Sequence, residues 1–278
     1  MESFRFGTVG SPLSTPKKPG GSVGAVYQIA NLTLNALELG WVQSVRVTEE
    51  TCEKISSAAQ EQNVAISVHA PYFINLNATE DEWPKSRKRL MDAAIYGAMA
   101  GATDIIFHPG SYFGQEPQAV LPLAIDRLRA CTAELQTTGI GVVLRPETMG
   151  KGALLGSLGD TLAMSAAIPG VEPCLDFAHL HARTGNGTAN SLQEWRAMLE
   201  EYQQALGKES LNRLHIHLSG IAYSEKGERE HLPIQESDFN LIELFTALKE
   251  YSCGGRILCE SPIMEQDALY MKETWERL

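Results

Sequence analysis

Eight short runs of apolar, β-favouring residues recur along the chain, separated by longer stretches whose apolar positions follow helical spacing. No other feature limits the fold as much. The runs lie near residues 4–9, 36–43, 64–69, 103–108, 140–147, 171–176, 212–218 and 255–260. Helical patterns are clearest at 50–62, 84–101, 117–137, 191–206, 238–250 and 265–277, with a shorter one around Asp160 to Met164 before Pro169. Gly101, Gly139, Gly207 and Gly254 stand where several of these helices should stop. Strands joined through helices must run parallel, because the crossover carries the chain back to the starting edge. Eight such units in 278 residues predict a (β/α)8 barrel. The alternative, a doubly wound open sheet, prefers Gly-x-Gly-x-x-Gly after the first strand. Here Gly7-x-x-Gly10 runs instead into Pro12, Pro16 and Pro19. No linker, low-complexity tract or repeat divides the sequence, so residues 1–278 are expected to form one domain.

Hydrophobic residues make up 44% and charged residues 21%, enough apolar mass for a sizeable core and too much for disorder. With 23 Lys and Arg against 34 Asp and Glu, the formal charge is −11, which excludes a nucleic-acid binder relying on bulk basic charge. No apolar run approaches the ~18–20 residues of a membrane span, and the start Met1-Glu2-Ser3-Phe4-Arg5 has no basic segment leading into an apolar one. Cys52, Cys131, Cys174, Cys253 and Cys259 are scattered, with no Cys-x-x-Cys pair. Together these features predict a cytoplasmic protein, off the membrane, with no disulfide framework; no obligate protein partner is evident.

Histidine placement carries the chemistry. His69, His108, His179, His181, His215, His217 and His231 all fall at, or shortly after, the C-terminal end of an expected strand, and none in an expected helix. In a barrel that end is the active face. A lone His in an apolar strand is ordinarily a satisfied core residue, but independent structural roles would scatter seven of them. Glu147, Asp176 and Glu260 occupy matching positions on other strands. Each alone could be an N-cap of the next helix; ringed by histidines, they make a metal site the better reading. Ligands of His and carboxylate without Cys favour zinc, with manganese or iron as alternatives. The candidates outnumber what one ion takes, so two or three divalent ions bridged by a carboxylate are expected, a device suited to phosphate-ester hydrolysis.

At these residues the sequence resembles endonuclease IV, the family 2 AP endonucleases of the xylose isomerase-like barrels. His69-Ala-Pro-Tyr-Phe-Ile-Asn-Leu is similar to the family's segment after strand 3, and His108-Pro-Gly-Ser to that after strand 4. Glu147-Thr-Met-Gly-Lys-Gly resembles the strand 5 motif, Asp176-x-x-His179 the strand 6 motif, His217-Leu the strand 7 element and Glu260 the strand 8 ligand, with His231 in the intervening loop. The resemblance implies a first metal on His69, His108 and Glu147, with Glu147, the catalytic bridging carboxylate, shared with a second on Asp176, His217 and Glu260. It implies a third on His179 and His231. The implied activity is hydrolysis of double-stranded DNA on the 5′ side of an abasic site, leaving a 3′ hydroxyl, with Tyr72 and Phe73 contacting the DNA. A packed loop is the structural alternative for those two aromatics.

Three departures qualify the resemblance. The family's Asp-x-His before the loop histidine reads Arg229-Glu230-His231 here, so either Glu228 or Glu230 serves through a changed loop, or the third site is weak or empty. Ser219-Gly220 replaces the usual Asn-Asp after His217, and Trp41-Val-Gln-Ser-Val-Arg-Val lacks the polar intercalating segment, leaving Arg46 as a substitute. His215 reads as structural and His181 as a neighbour of the ligands or a substrate group. Lys151 reads as a solvated loop residue. The basic run Lys85, Arg87, Lys88 and Arg89 reads as a solvated face that could touch phosphate. Two other functions stay open: a single-metal sugar isomerase or epimerase using Glu147, Asp176, His217 and Glu260, and a non-catalytic metal-holding or DNA-binding relative.

Overall fold

A computed structural model describes residues 4–278. The barrel strands are β1 (Arg5–Val9), β2 (Ala36–Gly40), β3 (Ala65–His69), β4 (Ala102–Phe107), β5 (Val143–Pro146), β6 (Cys174–Asp176) and β7 (Leu214–Leu218), completed after a hairpin by β10 (Gly255–Cys259). The hairpin strands are β8 (Gly220–Ser224) and β9 (Gly227–Leu232). Between strands lie α1 (Gly21–Asn31), α2 (Glu49–Gln62), α3 (Trp83–Met99), α4 (Pro117–Thr137) and α5 (Leu158–Ala167). Then come α6 (Phe177–Arg183), α7 (Leu192–Leu206), α8 (Leu241–Glu250) and α9 (Glu265–Arg277). No helix among the described residues is long and apolar enough to cross a membrane.

The eight barrel strands pair in the order β5-β4-β3-β2-β1-β10-β7-β6, all parallel. Parallel bridges Leu144–Val171 and Glu147–Cys174 join the two edge strands and close the ring. The expected (β/α)8 barrel is therefore the observed fold. The strands are shorter than the apolar runs suggested, because the barrel needs only a few residues of each run for pairing. Asn212 and Arg213, for instance, end a 3-10 turn (Lys208–Arg213) ahead of β7 rather than opening the strand.

Local chemistry explains the helices. Ser157 and Ser191 cap α5 and α7 in reciprocal boxes with Asp160 and Glu194, and Thr48 caps α2. Three elements were not foreseen. Helix α1 starts in a Gly- and Pro-rich stretch and is held by burying Ala25, Val26 and Ile29. The β8–β9 hairpin is too polar to show strand alternation. Helix α6 spans 7 residues, too short to display a period, and it corrects the expectation that no histidine lies in a helix: His179 and His181 are both in it.

A candidate metal centre at the barrel mouth

Residues two apart on a strand face the same side, so Ser67 with His69, Arg145 with Glu147, Cys174 with Asp176, and His215 with His217 project into the barrel together. The interior is consequently polar in tiers. Lowest, Arg145 pairs with Asp104 and donates to Pro173 O at 2.9 Å, while Arg256 Nη2 lies 3.1 Å from Asp104 Oδ2. Above it sits Glu38, fully buried, accepting from Ser67 Oγ at 2.8 Å and facing His215 Nε2 at 2.8 Å and His217 Nε2 at 3.0 Å. The top tier holds the candidate ligands.

All eight expected ligands converge there in three adjoining clusters: His69, His108 and Glu147; Glu147, Asp176, His217 and Glu260; and Asp176, His179, His231 and Glu260. Within each cluster the candidate donor atoms lie within 4.8 Å of one another. Glu147 is the hub. Its Oε2 is 3.2 Å from both His69 Nε2 and His108 Nε2, and its Oε1 is 3.3 Å from His179 Nδ1 and 3.5 Å from His217 Nδ1. Glu260 Oε1 lies 3.4 Å from His217 Nδ1. Asp176 does two jobs at once. Its Oδ1 accepts from His179 N at 2.7 Å, capping α6, while Oδ2 lies 3.4 Å from His179 Nδ1. The N-cap and ligand readings of this carboxylate are thus compatible.

Fixed partners orient the rings. His69 Nδ1 pairs with Ala70 O at 2.9 Å, turning Nε2 toward Glu147. His217 Nε2 lies 3.0 Å from Glu38 Oε1, a charge contact without hydrogen-bond geometry, and its Nδ1 faces the cluster. Glu147 Oε1, Asp176 Oδ2 and His217 Nδ1 are buried and make no hydrogen bond, nor do Glu38 Oε1 and His217 Nε2 below them. Orphaned polar atoms at this depth are costly, and a divalent cation shared among Glu147 Oε1, Asp176 Oδ2 and His217 Nδ1 would satisfy those three. The residues therefore fit a metal group with nitrogen and oxygen donors.

The charges respond to this crowding. Burial alone would raise the Glu147 carboxyl, yet the imidazoles of His108, His179 and His217 hold it well below the usual carboxylate range. Burial together with Glu260 and Glu147 pushes Asp176 up to about 6, although His179 pulls the other way. His217 and His179 are raised against the effect of burial, His217 by Cys174, Glu38 and Glu260, and His179 by Asp176 and Glu147. His215 is instead lowered to about 4 by burial, as expected of a neutral core histidine.

The remaining candidates fall around this centre. Tyr72 and Phe73 are 45% and 57% exposed at the mouth. The Tyr72 ring stacks on His108 with centroids 4.9 Å apart. Beside them a cavity of about 420 Å³ is lined by Tyr72, Phe73, Arg89, His108, Ser111 and Met149, among others. Of the basic run, Lys85, Arg87 and Lys88 are tied to Glu82, Glu134 and Asp92, while Arg89 reaches the mouth, donating to Phe73 O at 3.1 Å. Lys151 and Arg46 are exposed. His181 pairs with Thr188 O at 2.8 Å and Asp238 Oδ1 at 3.0 Å and belongs to none of the ligand clusters. Glu38 was overlooked in the sequence, although an acid inside Ala36-Leu-Glu-Leu-Gly40 is a signal, since such residues are buried only when paired.

A model of the xylose isomerase-like TIM barrel family matches residues 26–278. An uncharacterized protein of Methanocaldococcus jannaschii is 34% identical over 98% of this chain and 97% of its own length. A protein of a Geobacillus species named probable endonuclease 4 is 31% identical over 73% of this chain and 67% of its own. Among solved structures, a D-tagatose 3-epimerase-like protein superposes with TM-score 0.73 at 19% identity, covering 99% of this chain and 96% of its own. Endonuclease IV of Thermus thermophilus superposes with 0.71 at 21%, covering 98% of each chain. Nuclease and sugar-epimerase relatives thus share this backbone about equally, and the chain belongs to the xylose isomerase-like TIM barrel family.

Proposed function

We propose that the protein is a metal-dependent phosphodiesterase of the endonuclease IV type, hydrolysing duplex DNA on the 5′ side of abasic sites. One observation carries the reading: the four-residue set Glu147, Asp176, His217 and Glu260 does not stand alone. It is flanked by His69 and His108 on one side and by the His179–His231 pair on the other. A carbonyl-polarising isomerase can work with one ion on the inner four ligands; the His179–His231 pair has no work in it. The relative named probable endonuclease 4 supports the same choice.

On this reading His69, His108 and Glu147 hold one divalent ion, Glu147, Asp176, His217 and Glu260 a second, and His179 and His231 a third, zinc being the favoured metal. Bound there, such ions supply Lewis acidity toward phosphate oxygens and lower the pKa of water. Glu147 keeps the inner sites in register through its two oxygens. Glu38 Oε1 lies 3.0 Å from His217 Nε2, on the side of the ring opposite the cluster. Tyr72 and Phe73 offer aromatic faces to unstacked bases, and Arg89 offers a cation to the phosphate backbone. The net charge of −11 does not oppose DNA at this face, since two or three divalent ions bring about +4 to +6 to the place where it docks.

The second reading, a single-metal sugar epimerase, draws on the inner four residues and on the likeness to the epimerase-like fold. The test is to offer metal-loaded protein both substrate classes in parallel: a labelled duplex with one tetrahydrofuran abasic analogue, and a panel of ketoses. Incision abolished by chelator supports the nuclease. Ketose turnover without incision overturns it.

A further inference from the structure

The position two residues before His231, where the resemblance implies an Asp, is Arg229, and it is exposed. The hairpin supplies another carboxylate by changing its register. Ile221 pairs with His231 and Ala222 with Glu230, but Tyr223 pairs with Glu228, so Arg229 is the extra residue of a β-bulge. In a regular strand, residues two apart share a face; one inserted residue shifts that relation to three apart. Glu228 therefore turns to the side of His231, and its Oε2 lies 3.7 Å from His179 Nε2.

The hairpin is seated to make this contact. Glu228 N donates to Gly150 O at 2.8 Å. A Cβ on Gly150 would stand 2.7 Å from Glu228 Oε2 and 3.1 Å from His179 Cδ2. Gly227, at φ +92, brings its Cα against the Gly150 carbonyl, where a Cβ would approach to 2.4 Å. Both glycines are thus what lets the two backbones close on each other.

The rings are set for a cation. His179 Nδ1 faces Thr148 O at 2.9 Å, and His231 Nδ1 faces Glu260 O at 3.2 Å. With both Nδ1 atoms donating to carbonyls, the two Nε2 atoms face each other at 3.2 Å. Two lone pairs so placed repel, and a proton or a metal ion must lie between them.

We infer that Glu228, brought into line by the bulge at Arg229, is the carboxylate that completes the outer divalent-metal site with His179 and His231. The inference rests on the proposed reading of that pair as metal ligands, though not on the DNA substrate. The test is zinc stoichiometry by elemental analysis, after equilibration against a competing chelator at fixed free zinc. The proteins are the full-length wild type, Glu228→Gln, Glu230→Gln and the double variant Glu228→Gln/Arg229→Asp. Glutamine keeps the packing on Gly150, so folding is preserved, which circular dichroism checks. The expected result is a loss of one zinc per chain, or at least tenfold weaker binding of it, in Glu228→Gln alone and in the double variant, with Glu230→Gln unchanged. Cobalt substitution should show the same loss as a change in the visible d–d absorption. Wild-type stoichiometry and affinity in Glu228→Gln, or restoration by Arg229→Asp, would overturn the inference. Loss of the zinc without DNA incision by any form would leave it standing and refute the nuclease reading instead.

Discussion

Replacing Glu38 with glutamine isolates the contribution of a carboxylate that lies beneath the candidate ligands and adjoins only one of them. Its two oxygens meet three groups: Oε2 receives Ser67 Oγ and His215 Nε2, each at 2.8 Å, and Oε1 faces His217 Nε2 at 3.0 Å. An amide has one oxygen. Because two partners converge at Oε2, the amide oxygen takes that place and the NH2 faces His217. A donor there leaves the neutral His217 ring with its proton on Nδ1, the atom 3.5 Å from Glu147 and 3.4 Å from Glu260. A metal at the inner cluster then has to displace that proton. Loss of such an orienting carboxylate typically weakens metal binding ~10–100-fold, or ~1.4–2.8 kcal/mol. The lost charge-assisted contacts should lower metal-free stability by about 1–3 kcal/mol. Competitive titration against a chromophoric chelator reads the affinity, and denaturant unfolding reads the stability. Zinc affinity within twofold of wild type, in a folded Glu38→Gln protein, would refute the tautomer argument.

Asp176→Asn should invert in sign with metal. The metal-free fold holds this carboxyl at about 6, above the ordinary 3.8. The folded state therefore binds the proton more tightly, and the associated stability is present below pH 3.8 and lost as pH rises through 6. At pH 7.5 the metal-free Asp176→Asn variant should exceed metal-free wild type in stability, since asparagine also caps α6. With zinc supplied, wild type should be the more stable, and thermal melts of both forms check the crossover. Arg145→Ala strips the buried Asp104 of its closest partner and should cost about 3–5 kcal/mol in urea unfolding while leaving zinc stoichiometry unchanged. Arg89→Ala should weaken binding of abasic duplex and reduce the slope of log K against log salt by about 0.9, the signature of one phosphate contact; an unaltered slope removes Arg89 from the docking face.

Much of this was legible because barrel geometry and ligand chemistry act on the same positions. A carboxylate or imidazole at a strand's C-terminal end is visible as an interruption of an apolar run, and His69, Glu147, Asp176, His217 and Glu260 all announce themselves that way. Glu38 sits mid-strand between Leu37 and Leu39, where attention to strand ends passes it by, and only the stacking of tiers puts it beneath His217. The hairpin was hidden for another reason. Gly227-Glu-Arg-Glu-His-Leu232 has no period-two apolar pattern, and a bulge cannot be read from one strand without its partner. Whether Glu228 or Glu230 lies beside His179 was therefore undecidable from spacing, and the register settles which one does. The exposure of Tyr72 and Phe73 likewise depends on how the loop after β3 meets His108.

The most direct measurement maps the cut. A 5′-labelled duplex with a single tetrahydrofuran residue, which cannot undergo lyase chemistry, is incubated with protein whose zinc content has been determined. The product is then sized and offered to a DNA polymerase. The account predicts one incision immediately 5′ of the lesion, abolished by chelator, with a product that the polymerase extends from its 3′ hydroxyl. An intact duplex in the presence of folded, fully metal-loaded protein would contradict it.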